Sequence, residues 1–245
     1  MELLRDRHPE DPVLDAAITH ALLREVGAGE RGATARVFRP GATMAFGRLD
    51  ALQAGGYAAA RAAAAAHGYT PLLRLGGGHA AGYDEGSVLV ELIRPVATIA
   101  DGIGDRFADS TALLVEALAG LGIAAHVGAL PGEYCAGDWS VNAAGIKLAG
   151  TAQRSIRGAS LVTAMVIVEG GARLRAALVD VYAALGIDWR PATAGAAADL
   201  VRSLSAGDVE RALIAALAAH ERLTAGALSP ATLRLASTLG AAHDR

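Results

Sequence analysis

Apolar positions recur at helical spacing along several stretches of the chain. Asp11-Pro12 followed by Leu14, Ile18, Leu22 and Val26 joins a capping carboxylate, a first-turn proline and an apolar stripe, which predicts a helix. Leu114, Leu118 and Leu121 share one face of a helix predicted from about Ser110 to Leu121. Leu174, Leu178, Val181 and Leu185 mark another, ended by Gly186, and Ser205 with Asp208 opens a further one through Leu213 and Leu217. Tyr57 to His67 is almost all alanine and is stopped by Gly68, so intrinsic propensity and C-terminal capping predict a helix there too.

Shorter β-type runs lie between these helices. Thr34 to Phe38 and Thr43 to Phe46 flank Arg39-Pro40-Gly41 and read as a hairpin leading into the loop Gly47-Arg48-Leu49-Asp50. A short strand ending at Arg74, the loop Gly76-Gly77-Gly78-His79, a turn at Asp84-Glu85-Gly86 and a strand from Val88 to Ile93 follow. Further strands are predicted near Ala124 to Val127, in a hairpin over Trp139 to Ala149, and from Leu161 to Val168. Strand pairs with short turns, and helices inserted between groups, fit an α+β fold better than strict βαβ alternation. The alanine-rich segment from about residue 192 carries no convincing strand. It divides the expected organisation into a catalytic domain over 1–191 and a small helical C-terminal appendage over 192–245.

Composition narrows the function classes. With 245 residues and 53% apolar content, the chain can bury one large core. Its formal net charge is −3 and its 22 Lys and Arg are dispersed, which argues against a nucleic-acid partner. The first residues lack the basic start and apolar run of a secretory signal, and no apolar stretch reaches the ~18 residues of a bilayer span, so a cytoplasmic protein without a membrane partner is expected. The lone cysteine can form no internal disulfide and is too few for a structural zinc site. No His pair has metal-ligand spacing, and no Ser lies in a Gly-x-Ser-x-Gly elbow.

That cysteine, Cys135, lies in Pro131-Gly132-Glu133-Tyr134-Cys135-Ala136-Gly137-Asp138, a loop signature instead of the apolar-periodic segment where an inert cysteine usually sits. The flanking glycines let backbone N–H groups approach a substrate. Lys147 follows in Val141 to Gly150, where the Ala144-Gly145 step suits a hairpin turn and period two directs Lys147 away from Ile146 and Leu148. An ammonium beside a thiol favours the thiolate, whereas a solvated strand lysine is the plainer reading. The glycine-rich loop after Arg74 lacks both the Walker ending and a dinucleotide fingerprint, which leaves a phosphate cradle and close packing against an acyl chain as alternatives. His79 is a polar loop residue or a base, Asp84 is a turn residue that can orient a cation, and Arg154 with Arg157 offers charge to an acidic partner or to solvent.

Two segments resemble the lipoate-protein ligase, octanoyltransferase and biotin-protein ligase superfamily. Arg74 to Gly86 is similar to its Arg-x-Ser-Gly-Gly-x-Ala-Val-x-x-Asp-x-Gly loop, with Gly76 in place of the Ser and Ala81 in place of the Val. Asp138 to Gln153 is similar to its Asp-x-x-Val-x-Gly-x-Lys-x-x-Gly-x-Ala-Gln hairpin, and puts the family's essential lysine on Lys147. Tyr134-Cys135-Ala136-Gly137 looks most like the Cys-Pro-Gly of the octanoyl or lipoyl amidotransferase branch, with Ala136 departing from the proline. Tyr83, where many ligases have His, points the same way.

The resemblance implies a central mixed, largely antiparallel sheet flanked by helices. It further implies an acyltransferase with Cys135 and Lys147 as catalytic residues, and Arg74, Gly76, Gly77, Gly78, His79, Asp84, Gly150 and Ala152 around the acyl substrate. Cys135 would accept an octanoyl or lipoyl group from an acylated donor protein and pass it to the lysine of a lipoyl-domain acceptor, with no cofactor. Two alternatives stand beside it. One is an ATP-dependent lipoate ligase, which needs ATP and magnesium; the other is a non-catalytic module that binds acylated domains.

Overall fold

A computed structural model describes residues 1–53 and 55–244. In chain order its elements are β1 (Glu2–Leu4), α1 (Pro12–Gly27), β2 (Thr34–Phe38), β3 (Thr43–Phe46), α2 (Arg48–Ala51), α3 (Gly56–Ala66), β4 (Thr70–Leu73), β5 (Ala81–Tyr83) and β6 (Ser87–Pro95). Then come α4 (Ile103–Gly120), β7 (His126–Val127), β8 (Val141–Ala143), β9 (Ile146–Ile156), β10 (Ala159–Ile167), α5 (Gly171–Leu185), α6 (Ala206–His220), β11 (Thr224–Ala225) and α7 (Pro230–Leu239).

Among the described residues the strands form an eight-stranded sheet, ordered β11-β1-β2-β6-β10-β9-β8-β7, and a three-stranded sheet, β4-β3-β5. The large sheet is antiparallel from β2 to β7 and parallel only where β1 meets β2 and β11. This is the mixed, largely antiparallel α+β architecture expected above.

Period two divides the large sheet's faces. Val88, Val90 and Leu92 of β6 pack with Leu114 and Leu118 of α4 and Leu213 and Leu217 of α6. On the opposite face, Leu89 and Met165 join the small sheet and the paired helices α3 and α5, while Ile93 and Leu161 join α1 and α7. Residue 192 marks no break in this core, because Ala197, Leu204, Ala206 and Val209 belong to the same cluster as β6. β11 also extends the sheet beside β1.

The predicted hairpin over residues 34–46 does not form. β2 pairs with β1 and β6, whereas β3 pairs with β4 and β5 in the other sheet. The connection crosses at Gly41, where a Cβ would come within 2.0 Å of the Pro9 carbonyl, so only glycine lets the chain pass there. The expected loop from Gly47 to Asp50 is instead the cap and first turn of α2, with the N–H of Gly47, just before the helix, donating to the Asp50 carboxylate. The helix predicted from Ser110 begins earlier, at Ile103, and its mostly solvent-facing first turns, with Gly104, Asp105 and Asp109, mask that start in the sequence.

Candidate active site

Cys135 sits on the loop between β7 and β8 with φ +43°, a left-handed conformation that costs a non-glycine residue roughly 1–2 kcal/mol. Neighbours fix it there. The Cys135 N–H donates to the Tyr182 hydroxyl of α5 at 2.7 Å, and that hydroxyl donates to the Ala80 carbonyl at 2.9 Å. One phenol thus ties the cysteine loop to the strand after the glycine-rich loop.

The cation on the sulfur is Arg74. Its Nη2 lies 3.3 Å from Cys135 Sγ and also donates to the carbonyls of Gly77 at 2.6 Å and His79 at 2.8 Å. Gly78 must be glycine for this arrangement. It has φ +89°, and a Cβ would stand 2.7 Å from Arg74 Nη2 and 2.8 Å from Sγ. Burial pushes the Cys135 thiol up, but the Arg74 guanidinium, the Lys147 ammonium, the Arg74 hydrogen bond and the His79 backbone outweigh it, so the thiol is held below its ordinary value.

Lys147 reaches the same loop but grips its backbone. Its buried Nζ donates to the carbonyls of Cys135 at 2.8 Å and Tyr134 at 3.0 Å, and to Glu133 Oε1 at 3.0 Å. An ammonium has three donors, and all three are engaged. Glu133 in turn accepts from the Ser140 hydroxyl and the Leu130 N–H. Lys147 therefore acts on the thiol through its field and through the loop, without a direct bond to sulfur. The turn that presents Lys147 has Ala144 and Gly145 both at positive φ, the geometry a two-residue hairpin loop requires.

A cavity of about 570 Å³ opens at Cys135. Phe38, Leu72, Leu89, Leu161 and Met165 give it apolar walls, and Arg74, Gly76, Gly77, Gly78, Lys147, Gly150 and Ala152 also line it. Gly76 is close-packed there, since a Cβ would be 2.6 Å from that of Ala152. The N–H groups of Gly77 and Gly78 make no backbone hydrogen bond among the described residues, and both glycines line the cavity. Two expected substrate contacts lie elsewhere. The His79 ring turns to the buried Asp50 at 2.7 Å, leaving only its backbone near the sulfur, and Asp84 accepts from Gly86 N–H and pairs with Arg173.

Sequence reasoning did not find Glu133, Tyr182 or Asp50. Glu133 had a signal, because a buried lysine in a hairpin needs a carboxylate partner and one stands two residues before Cys135. Tyr182 falls in the apolar stripe of α5 and reads as core. Among the described residues, no cluster of His, Cys, Asp or Glu could hold a metal ion, and no helix is long and apolar enough to cross a membrane.

This fold and site have counterparts among known proteins. The chain is 31% identical over 179 residues to octanoyl-[GcvH]:protein N-octanoyltransferase of Geobacillus kaustophilus, covering 71% of this chain and 63% of that protein. It is 36% identical over 120 residues to the protein of the same name from Exiguobacterium sibiricum, covering 49% of this chain and 44% of that one. The matched segments thus span less than two thirds of these relatives. A lipoate protein ligase from Thermoplasma acidophilum superposes with a TM-score of 0.73 at 20% identity, over 98% of this chain and 91% of that one. A lipoate-protein ligase A bound with ATP gives 0.74 at 19%, over 98% and 94%. At such identities these two structures speak for the fold alone. The model of the lipoyl protein ligase A/B catalytic domain matches residues 11–218, and the chain belongs to that family.

Proposed function

We propose that this protein transfers an octanoyl or lipoyl group through a Cys135 thioester onto the lysine of a lipoyl domain. The observation that carries the reading is a thiol biased toward thiolate by Arg74 at the mouth of an apolar cavity. The relatives are named octanoyl-[GcvH]:protein N-octanoyltransferases, so the favoured donor is an octanoylated GcvH-type protein, and no cofactor is required.

In the first half-reaction the Cys135 thiolate attacks the donor's octanoyl carbonyl. The N–H groups of Gly77 and Gly78 receive the developing oxyanion, and as the C–N bond breaks the donor lysine nitrogen takes one proton from solvent and leaves as the neutral amine. In the second, the acceptor lysine's neutral amine attacks the thioester, its nitrogen gives one proton back to solvent, and the C–S bond breaks to release the product amide and the Cys135 thiolate. Arg74 stabilises that thiolate as nucleophile and as leaving group. Lys147 and Glu133 keep the strained loop in place, so the sulfur meets the carbonyl without reorganisation.

Intact-mass spectrometry after incubation with an octanoylated lipoyl domain tests the reading. The expected result is a hydroxylamine-labile octanoyl adduct on the wild type that is missing from Cys135→Ala. An unmodified wild type that instead supports ATP-dependent pyrophosphate exchange would replace transfer with ligation. Tight acyl-domain binding with neither activity would leave a binding module.

A further inference from the structure

The cavity does not stay apolar along its length. Neighbouring strands place Arg36, Glu91, Thr163 and Ala152 in one row across the large sheet, because Arg36 of β2 is opposite Glu91 of β6, Glu91 opposite Thr163 of β10, and Thr163 opposite Ala152 of β9. The adjacent row is Phe38, Leu89, Met165 and Gly150, and Gly150 lies against the Lys147 side chain. The floor thus runs from the cysteine end at β9, over β10, to Glu91 on β6. Two strand spacings make that roughly 10 Å, about the reach of an extended octanoyl chain.

At that far end the lining turns polar. The Thr19 hydroxyl of α1 lies 2.7 and 2.8 Å from the two Glu91 oxygens. Arg36 Nη1 is 3.8 Å from Glu91, and Arg36 Nη2 pairs with Asp15. Glu91, Thr19 and Asp15 all line the cavity and are otherwise buried. The transfer reaction described above uses none of them.

We propose that Glu91, with Thr19, is the ruler of the acyl site: the channel accepts a saturated chain that ends before this polar cluster and rejects one that extends onto it. A methylene pushed against Glu91 or Thr19 would remove what water reaches these groups and offer no hydrogen bond in return, a penalty that corresponds to about tenfold or more in acylation rate. A chain carrying its own hydrogen-bonding group at that depth escapes the penalty. The proposal rests on the thioester reading, since it measures chain length from Cys135.

The test is stopped-flow acylation of the full chain by p-nitrophenyl esters of hexanoate, octanoate, decanoate and dodecanoate, read as p-nitrophenolate release. In the wild type, release should fall at least tenfold between octanoyl and decanoyl. Glu91→Leu should move that break to a longer chain, and Glu91→Gln, still polar, should leave it where it is. A comparison in the wild type alone covers the case in which Glu91→Leu fails to fold: the ω-hydroxydecanoyl ester should react severalfold faster than the decanoyl ester. An unchanged profile in Glu91→Leu, or an ω-hydroxyl without effect, would overturn the ruler while leaving the thioester reading intact. Release that persists undiminished in Cys135→Ser would instead overturn the thioester reading and the ruler with it.

Discussion

Arg74 and Cys135 meet side chain to side chain at 3.3 Å, whereas Lys147 touches Cys135 only through its carbonyl. The two cations therefore have separable duties. Removing the Arg74 charge should raise the thiol's pKa, because both the guanidinium's field and its hydrogen bond hold the thiol down. We expect Arg74→Gln to slow alkylation of Cys135 by iodoacetamide at neutral pH and to move its pH profile upward, with transfer falling on the order of tenfold to a hundredfold. Arg74→Lys should recover part of the alkylation rate, since it restores the charge without the Nη2 group that meets Sγ and two carbonyls. Identical alkylation profiles in wild type and Arg74→Gln would refute this assignment.

Lys147 and Glu133 form a buried pair at 3.0 Å, and breaking such a pair from one side leaves an uncompensated charge costing about 3–5 kcal/mol. Lys147→Met should therefore lower the melting temperature sharply and abolish transfer. Lys147→Met combined with Glu133→Gln should regain much of the stability but not the activity, because nothing then clamps the Tyr134 and Cys135 carbonyls. Thermal melts of the four-member cycle read the coupling, and additive effects would deny it.

How much of this was legible in the sequence varies with the kind of contact. The stripe of α1 and the cap of α6 were readable because local periodicity and capping decide them. The separation of β2 from β3 was not, because it depends on Gly41 meeting Pro9, a tertiary contact that looks in sequence like any turn glycine. In the site, Arg74, the three loop glycines, Lys147, Gly150, Ala152 and Cys135 do converge on one cavity while His79 and Asp84 do not, but which cation touches sulfur is fixed by how the Arg74 chain folds back across the glycine loop. Spacing pointed to the neighbour in sequence, Lys147, and had no means of weighing Arg74, 61 residues away.

Gly78 is the position where a single methyl group should silence the site without dismantling the protein. Its added Cβ would contact the far end of the Arg74 side chain and the sulfur, not the core, and its positive φ adds strain of about 1–2 kcal/mol. Gly78→Ala should keep the native circular dichroism spectrum while displacing Arg74 from Sγ, so its alkylation profile should match that of Arg74→Gln. A Gly78→Ala enzyme with wild-type transfer and a wild-type thiol profile would show that Arg74 does not need this position to reach the sulfur.

Glu91 should also leave a mark on stability. Burial lifts its carboxyl to about 7 from an ordinary 4.5, helped by Asp15 and opposed by Arg36 and Thr19. The folded state then holds a proton that the unfolded state has released, so Glu91 makes stability fall as pH rises from about 4.5 through 7. His20 works the other way: burial and the neighbouring His243 lower it from 6.5 to about 4, so its contribution is complete above 6.5 and is lost as pH falls through 4. The windows overlap, and the wild-type profile alone cannot separate them. Glu91→Gln removes one slope only. Its urea midpoint should exceed that of the wild type at pH 8 and draw close to it, or fall below it, at pH 5; a difference independent of pH would mean that Glu91 does not titrate in this range.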